Sequence, residues 1–268
     1  MSKNDFNIDA LMSTGTCSDD KQVLYEKKNY NVKSSHSSAC PNKDINSGDF
    51  FLEKDLQVKQ PNMHLHFYRA APVSGGFIPK SMAHTTPISS QKFLDVLKRF
   101  SIHPNSVTAN VLKESIENCE TPNSINEKRI CATSLESMVD FATSVLETKN
   151  LLPLSTRVVN RNGTLNQRYS IISSSVKTVG SGSSSVICHA FIFPYTMFFC
   201  HMVPDTKVYT ASLVGEDKSI IEAMAVCHQD TSQWNSQHIA FKLFNVKPGE
   251  GSICHFLAED SVVWIPEN

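Results

Sequence analysis

The sequence lacks any run of about 18 apolar residues, the length that a membrane-spanning helix requires. It also lacks an excess of either charge, because 25 Lys and Arg against 26 Asp and Glu leave a net charge of −1. We therefore expect neither nucleic acid nor a membrane as a partner, and we expect a monomer. The N-terminus lacks the apolar stretch of a secretory signal, since Asp5, Asn7 and Asp9 occupy its place.

Several kinds of chemical site are also missing. The chain has no C-x-x-C pair of the zinc-ribbon or thioredoxin type, and no Ser-His-Asp, paired-carboxylate or phosphate-loop pattern. Its eight cysteines, an even number, nevertheless favour an oxidising compartment. The triplet Asn162-Gly163-Thr164 is a candidate N-glycosylation site there. A start site upstream of Met1 would reconcile the cysteines with the missing signal.

The cysteines outside any repeated motif allow two local predictions. Cys119 and Cys131 flank a polar loop, which favours a disulfide between them over two free thiols. Cys17 and Cys40 lie in the polar N-terminal region and either pair with each other or remain free.

Composition divides the chain near residue 50. Residues 1–49 are rich in Ser, Asn, Lys and Asp and show no period, so they are predicted to be a disordered leader. Residues 50–268 are predicted to form one domain, with a helical part at about 88–150 and a β part at about 155–268. The fold class is therefore α+β, built from a short helical segment and then an antiparallel β domain.

Three helices are predicted from apolar residues at helical spacing. Phe93, Leu94, Leu97 and Phe100 share the first face, and residues 107–116 form a weaker second one. The third covers residues 135–146, with Thr133 and Glu136 at capping-box spacing.

From Arg157 onward, apolar and β-branched runs separated by turn residues predict strands. An earlier strand is predicted from the alternation of Met63, Leu65 and Phe67. The predicted strands of the β part are Arg168–Val179, Ser185–His189, Tyr195–Val203, Lys207–Leu213, Ile220–His228, Ile239–Val246 and Ser261–Ile265.

Four of the eight cysteines are followed directly by histidine. In a strand, successive side chains point to opposite faces, so each dipeptide sends Cys one way and His the other. We therefore expect the cysteines to link strands on one face and the histidines to converge on the other. The pairs are Cys188-His189, Cys200-His201, Cys227-His228 and Cys254-His255.

Oxidised cysteines provide no thiolate, and imidazole ligands without thiolate suit Cu(II), with Zn and Ni as alternatives. The alternative to a metal site is a set of core histidines satisfied by hydrogen bonds. His66 and His238 are at best accessory ligands. The four motif cysteines alone allow three disulfide pairings, and the sequence does not choose among them.

The dipeptides and the following Trp264 have the spacing of the plant BURP family, which the chain resembles from about residue 50 to 268. Residues 50–56 (FFLEKDL), 131–141 (CATSLESMVDF) and 254–266 (CHFLAEDSVVWIP) are also similar to family segments. The resemblance implies disulfides beside histidine-ligated copper, and thus copper ligands at His189, His201, His228 and His255. It also implies the secretory pathway, as a cell-wall, extracellular or storage-vacuole protein.

Two functions are consistent with this resemblance. The favoured one is a non-catalytic role in seed, cell wall or stress response, with a cell-wall component as partner. The other is a copper- and dioxygen-dependent peptide cyclase that crosslinks a core peptide in its own leader. The leader contains no Trp, and its candidate core is Gln22-Val23-Leu24-Tyr25, with Tyr30 as the fallback acceptor.

Overall fold

The structure is a computed structural model that describes most of the chain after residue 49. The described residues are 50–57, 63–67, 76–85, 88–122, 127–160, 162–163, 166–181 and 185–267. The predicted leader, with Cys17, Cys40, Tyr30 and the candidate core Gln22–Tyr25, lies outside them, as do Thr164 and the side chain of His66.

All three predicted helices are present, among five that the described residues form. They are α1 (Lys80–Ala83), α2 (Phe93–Arg99), α3 (Val107–Glu120), α4 (Leu135–Leu146) and α5 (Ile239–Phe244). None of these helices is long and apolar enough to cross a membrane.

Two details of the helix prediction were wrong. The capping box of α4 is formed by Ser134 and Ser137, whose hydroxyls each accept the other's backbone N–H at 3.1 Å, and not by Thr133 and Glu136. Leu94 and Val107, predicted to face the core, are 69% and 68% exposed. Both lie in the first turn of their helix, where apolar spacing alone fixes the buried face poorly.

The described strands form two antiparallel sheets, which confirms the α+β class. The larger sheet has the order β1-β12-β11-β10-β6-β2, with β5 beside β11 and β7 beside β10; the smaller sheet has the order β3-β9-β8-β13-β4. The strands are β1 (Phe51–Leu52), β2 (Met63–His66), β3 (Lys128–Ala132), β4 (Leu151–Leu154), β5 (Arg157–Asn160), β6 (Asn166–Ile171), β7 (Lys177–Ser181), β8 (Val186–Phe191), β9 (Met197–Met202), β10 (Thr206–Gly215), β11 (Ile220–His228), β12 (Ile253–Phe256) and β13 (Val262–Pro266).

The two sheets share a buried apolar layer. Ile187 and Val263 of the smaller sheet cluster there with Val208, Met224 and Val226 of the larger one. Each such side chain stabilises the fold by about 1.5–3 kcal/mol when it is fully buried. Both sheets therefore have an inner face, toward this layer, and an outer face.

Other apolar clusters cover the rest of each sheet. Helix α4 packs through Met138 and Ala142 on the outer face of β8 and β9. Helices α2 and α3 pack through Leu97 and Leu112 against Phe191, at the end of β8. The inner face of the β8–β9 hairpin is thus shared between the larger sheet and the helices.

Two predicted strands of the β part differ from the structure. Residues Ile239–Phe244 form helix α5, which begins after His238 and ends at Asn245, a residue with a φ of 52°. The six residues, apolar except for Lys242, fit a buried strand or a short helix equally well, and sequence periodicity cannot separate the two. The predicted strand Arg168–Val179 is divided by a 3₁₀ turn at Ser173–Ser175, where Ser175 Oγ donates to the Ile172 carbonyl.

Candidate metal centre

Within the described residues, three disulfides link neighbouring elements, as the cysteine content predicted. Cys188 on β8 lies opposite Cys200 on β9, and the two are bonded. Cys227 on β11 lies opposite Cys254 on β12, and these are bonded as well. Strand register thereby selects one of the three pairings that the sequence left open. The predicted Cys119–Cys131 bond joins the end of α3 to β3.

The cysteines and histidines of the smaller sheet lie on opposite faces. Cys188 and Cys200 are buried in the outer-face cluster with α4. His189 and His201 therefore lie on the inner face, diagonally across the disulfide, because His189 pairs with Phe199 and His201 with Ile187. Their Nε2 atoms are 3.3 Å apart.

The histidines of the larger sheet have the same relation to their disulfide. His228 pairs with Ile253 and Val226 with His255, so these two histidines also lie diagonally across a Cys–Cys bond. Their rings are stacked, with centroids 5.7 Å apart. The ring of His255 lies 6.4 Å from that of His189 in the other sheet.

The four rings thus form one continuous series across the two inner faces, here called the histidine cluster (His201, His189, His255 and His228). His201 and His228 are buried, whereas His189 and His255 are half-buried. The structure therefore brings together all four side chains that the sequence singled out.

Other side chains surround the histidine cluster. His201 Nδ1 lies 3.3 Å from Glu127 Oε1, and its ring lies 5.2 Å from that of Phe199. At the other end of the series, the ring of Trp234 lies 5.1 Å from that of His228. The ring of Phe50 lies 6.3 Å from that of His255. The contacts of the cluster among the described residues thus include aromatic rings and the Glu127 carboxylate.

Glu127 and Phe50 were not identified from the sequence. Glu127 is 74 positions from His201 in the chain, and only the pairing of β3 with β9 brings them together. His238, considered as an accessory ligand, instead caps α5, since its Nδ1 accepts the Ala240 N–H at 3.3 Å. The ring of His238 lies beside Trp234 and Phe50.

The spacing of the histidines can be compared with that of metal ligands. Two imidazole nitrogens about 2.0–2.1 Å from one ion, at a tetrahedral angle, are about 3.3–3.4 Å apart. The Nε2 atoms of His189 and His201 have this spacing. As they are arranged among the described residues, however, no group of three or more His, Cys, Asp or Glu side chains could hold a metal ion. Imidazole donors and the spacing of His189 and His201 thus fit a metal ion. His228 and His255 lie in the same series of rings but do not complete a site.

A second polar group lies on the outer face of the larger sheet, where the chain enters the domain. The carboxylate of Glu53 accepts hydrogen bonds from Lys207 Nζ at 2.9 Å, from Gln229 Nε2 and Ser252 Oγ at 3.0 Å each, and from the Tyr209 hydroxyl. Burial alone would raise the pKa of Glu53, but the four hydrogen bonds outweigh it and lower this pKa to about 2.

The same contact affects Tyr209. Burial, together with the hydrogen bond to the Glu53 carboxylate, raises the pKa of Tyr209 to about 12. A cavity of about 570 Å³ opens beside Glu53, with Lys54 and Ser252 in its lining. The four hydrogen-bond donors hold Glu53 between strand β10, the end of β11 and the start of β12. None of these donors belongs to the histidine cluster.

Comparison with known proteins shows the family of this chain. The model of the BURP domain matches residues 49–266. The chain belongs to the BURP family. This BURP domain is 43% identical over 224 residues to BURP domain-containing protein 3 of Oryza sativa subsp. japonica, covering 82% of the chain and 51% of that protein.

Two further relatives match a similar share of the chain. BURP domain protein RD22 of Arabidopsis thaliana is 43% identical over 223 residues, which cover 82% of the chain and 56% of RD22. Protein RAFTIN 1B of Triticum aestivum is 33% identical over 216 residues, which cover 80% of the chain and 59% of that protein. The chain therefore spans little more than half the length of these relatives.

The remaining predicted positions lie away from the histidine cluster. Asn162 is exposed, and its side-chain amide donates to the Asp217 carbonyl at 3.2 Å. Trp264, in β13, is buried in the outer-face cluster with Cys188 and Cys200, so it is placed as a packing residue.

Proposed function

We propose that this BURP domain binds Cu(II) through the imidazoles of the histidine cluster and acts as a non-catalytic module in seed, cell wall or stress response. The donor set supports copper, because the motif cysteines are disulfide-bonded and leave imidazole nitrogens as ligands. Zn and Ni suit the same donors and are the competing ions in any test.

The 3.3 Å separation of His189 Nε2 and His201 Nε2 brings two imidazole nitrogens within reach of one ion and is the observation that carries the proposal. At the right angle of a tetragonal Cu(II) site the two nitrogens would close to about 2.8–3.0 Å. Each histidine adjoins a cysteine of the Cys188–Cys200 bond, so the disulfide restricts the strand positions from which both rings project. Two ligands held in this way lose less conformational freedom on binding an ion than free side chains would.

The rest of the cluster offers further histidine ligands, which would have to move closer to the His189–His201 pair to share its ion. His255 is the ring next to His189 on the other sheet, and His228 stacks on His255. The second disulfide restricts this pair as the first restricts His189 and His201. A bound ion would then link the two sheets and stabilise the folded state by mass action.

The non-catalytic role is proposed on the kinds of residue present. In the described part of the chain, the histidine cluster is bordered by Phe50, Phe199, Trp234 and one carboxylate, Glu127. This is not a nucleophile–base or paired-carboxylate arrangement. We propose a monomer in the secretory pathway, a compartment consistent with the three disulfides, with a cell-wall component as its partner.

Calorimetric titration of the oxidised protein with Cu(II) tests the proposal. We expect saturable binding that is weakened at least about tenfold when His189 and His201 are both changed to Ala. His201→Ala and His228→Ala separately should each weaken it. His84→Ala removes an exposed histidine distant in sequence from the motifs and is the matched control. Equal affinity in the double variant and the control would refute the assignment.

A peptide cyclase is the second candidate, and the position of Phe50 favours it. The ring of Phe50 lies 5.4 Å from that of His238 and 6.3 Å from that of His255. Residues 1–49 are therefore covalently attached next to the histidine cluster, which gives them a high effective concentration there. Copper bound in the cluster would supply oxidation by dioxygen. The chain would contribute Tyr25 as acceptor and Val23 and Leu24 as apolar groups.

Mass spectrometry of the leader separates the two candidates. After incubation with copper and dioxygen, a cyclase would show a loss of two hydrogens within Gln22–Tyr25, and Tyr25→Phe would abolish it. An unmodified leader in protein that has demonstrably bound copper favours the non-catalytic role.

A further inference from the structure

Glu127 is the carboxylate in contact with the histidine cluster. Its Oε1 lies 3.3 Å from His201 Nδ1, and the two side chains are 12% and 7% exposed. Glu127 directly precedes β3, the edge strand that pairs with β9, so it reaches His201 from the neighbouring strand. The Cys119–Cys131 bond holds β3 to α3 and thereby fixes the position of this edge.

The contact restricts where His201 carries its proton. An ionised carboxylate is only an acceptor, so the ring nitrogen that faces it must carry a hydrogen. In neutral His201 that nitrogen is Nδ1, which leaves the lone pair on Nε2. The same Nε2 faces His189 Nε2 at 3.3 Å. In the metal-free protein His189 would then donate its Nε2 hydrogen to His201.

We infer that Glu127 is a positioning residue that fixes His201 in its Nδ1–H form and aims the Nε2 lone pair at the histidine cluster. Carboxylates that accept the second N–H of a ligating imidazole orient the ring and raise its basicity. The metal-binding consequence rests on the function proposed above, whereas the protonation of His201 does not.

The other contacts of His201 cannot replace Glu127. Phe199 offers a ring face at 5.2 Å between centroids, which neither donates nor accepts a conventional hydrogen bond. Arg129 lies opposite His201 in the β3–β9 register, and its guanidinium lies 5.7 Å from the centre of the Phe199 ring. A guanidinium has no acceptor to offer the imidazole.

The test replaces Glu127 by Leu, which keeps most of the side-chain volume and removes the acceptor. Glu222→Leu is the matched control, because Glu222 is also a half-buried carboxylate that accepts a side-chain hydrogen bond, in its case from Ser212. Long-range ¹H–¹⁵N NMR on metal-free protein identifies which nitrogen of His201 is protonated. We expect Nδ1–H in the wild type and in Glu222→Leu, and loss of that preference in Glu127→Leu.

The second measurement is Cu(II) affinity. We expect Glu127→Leu to bind about 10–100-fold more weakly than the wild type, with Glu222→Leu unchanged and partial recovery in Glu127→Asp. If Glu127→Leu does not fold, Glu127→Met, whose side chain has no carboxylate or amide oxygen, and the wild-type spectrum decide the question. An Nε2–H form of His201 in the wild type, or the Nδ1–H form retained without the carboxylate, would overturn the inference. Absence of copper binding in the wild type would overturn the proposed function and leave the NMR result to decide the role of Glu127.

Discussion

Replacing Glu53 by Gln removes the charge of a carboxylate that accepts four hydrogen bonds while keeping its size. The donors come from β10, from the residue that follows β11 and from the residue that precedes β12, so Glu53 connects the chain entry to the larger sheet. A neutral amide can satisfy some of these donors, but its NH₂ group must face at least one of them. We expect this substitution to lower the free energy of unfolding.

The pKa of Glu53 gives the size of the effect. A fall from 4.5 to about 2 corresponds to a preference of about 3 kcal/mol for the ionised carboxylate in the folded state at neutral pH. The Glu53 side chain is 20% exposed and that of its partner Lys207 is 40% exposed, so solvent screening reduces this value. Because Gln retains some of the hydrogen bonds, we expect Glu53→Gln to lower the free energy of unfolding by about 2–3 kcal/mol.

The pH dependence has a defined sign. A carboxylate whose pKa is lowered on folding contributes its full stability above the unfolded pKa of about 4.5, and this contribution is lost as the pH falls toward about 2. Urea denaturation of the wild type should therefore show stability falling across that range. In Glu53→Gln this acid-induced decrease in the free energy of unfolding should be smaller. The difference from the wild type should be about equal to the stability that the substitution removes at pH 7.

Glu222→Gln is the matched control, because Glu222 accepts hydrogen bonds from one side chain, that of Ser212. We expect it to cost at most about 1 kcal/mol. The reasoning fails if Glu53→Gln and Glu222→Gln lose equal stability at pH 7. It also fails if the free energy of unfolding falls equally at acid pH in the wild type and in Glu53→Gln.

The remaining predictions also concern stability. Changing both Cys227 and Cys254 to Ser removes a disulfide that closes a loop with a sequence separation of 27, and should lower the free energy of unfolding by about 3.5 kcal/mol. Removing the Cys119–Cys131 disulfide, which has a sequence separation of 12, should lower it by about 3 kcal/mol. Urea denaturation measures both values. Thiol labelling of all six cysteines in denatured, unreduced protein would contradict the disulfides. Thr156→Val should cost about 1–3 kcal/mol, because the buried Thr156 hydroxyl donates to the Leu257 carbonyl and accepts the Met224 N–H. Thr206→Val should be neutral or stabilising by the same assay, since Thr206 Oγ1 is buried without a partner in the described part of the chain. An equal loss of stability in Thr156→Val and Thr206→Val would contradict this.

Part of the candidate site follows from one rule of strand geometry. Alternation along a strand places the Cys and the His of each dipeptide on opposite faces, and the structure has this arrangement in both sheets. The rule does not say which cysteines pair, because that depends on strand register. The opposed positions of Cys188 and Cys200, and of Cys227 and Cys254, appear only after the strands are aligned.

Residues whose roles depend on long-range contacts could not be predicted. Glu127 reaches His201 only through the β3–β9 pairing, and Phe50 reaches His255 through the short β1–β12 pairing. Glu127 has no periodicity or neighbouring motif in the sequence. Phe50 begins the family-like segment FFLEKDL, but nothing in that segment indicates a contact with a histidine. By contrast, the stripe of apolar residues along α4 was sufficient to predict that helix, because its buried face is set by local spacing.

The wrong strand at Ile239–Val246 has a local cause that only the structure shows. The run is apolar and short, and its helical conformation depends on the cap supplied by the His238 ring and on Asn245 adopting a positive φ. Asn tolerates that conformation better than most residues, so its position is the one signal in the sequence that favoured a helix end.

Pulsed electron paramagnetic resonance of the Cu(II)-loaded, oxidised protein tests the central proposal most directly. Labelling histidine with ¹⁵N identifies imidazole ligands, because only coordinated rings change the nitrogen modulation of the copper signal. The account predicts at least two coordinated imidazoles, with fewer in the variant in which His189 and His201 are both changed to Ala and no change in His84→Ala. A copper signal without imidazole nitrogen, or one that is identical in all three proteins, would contradict it.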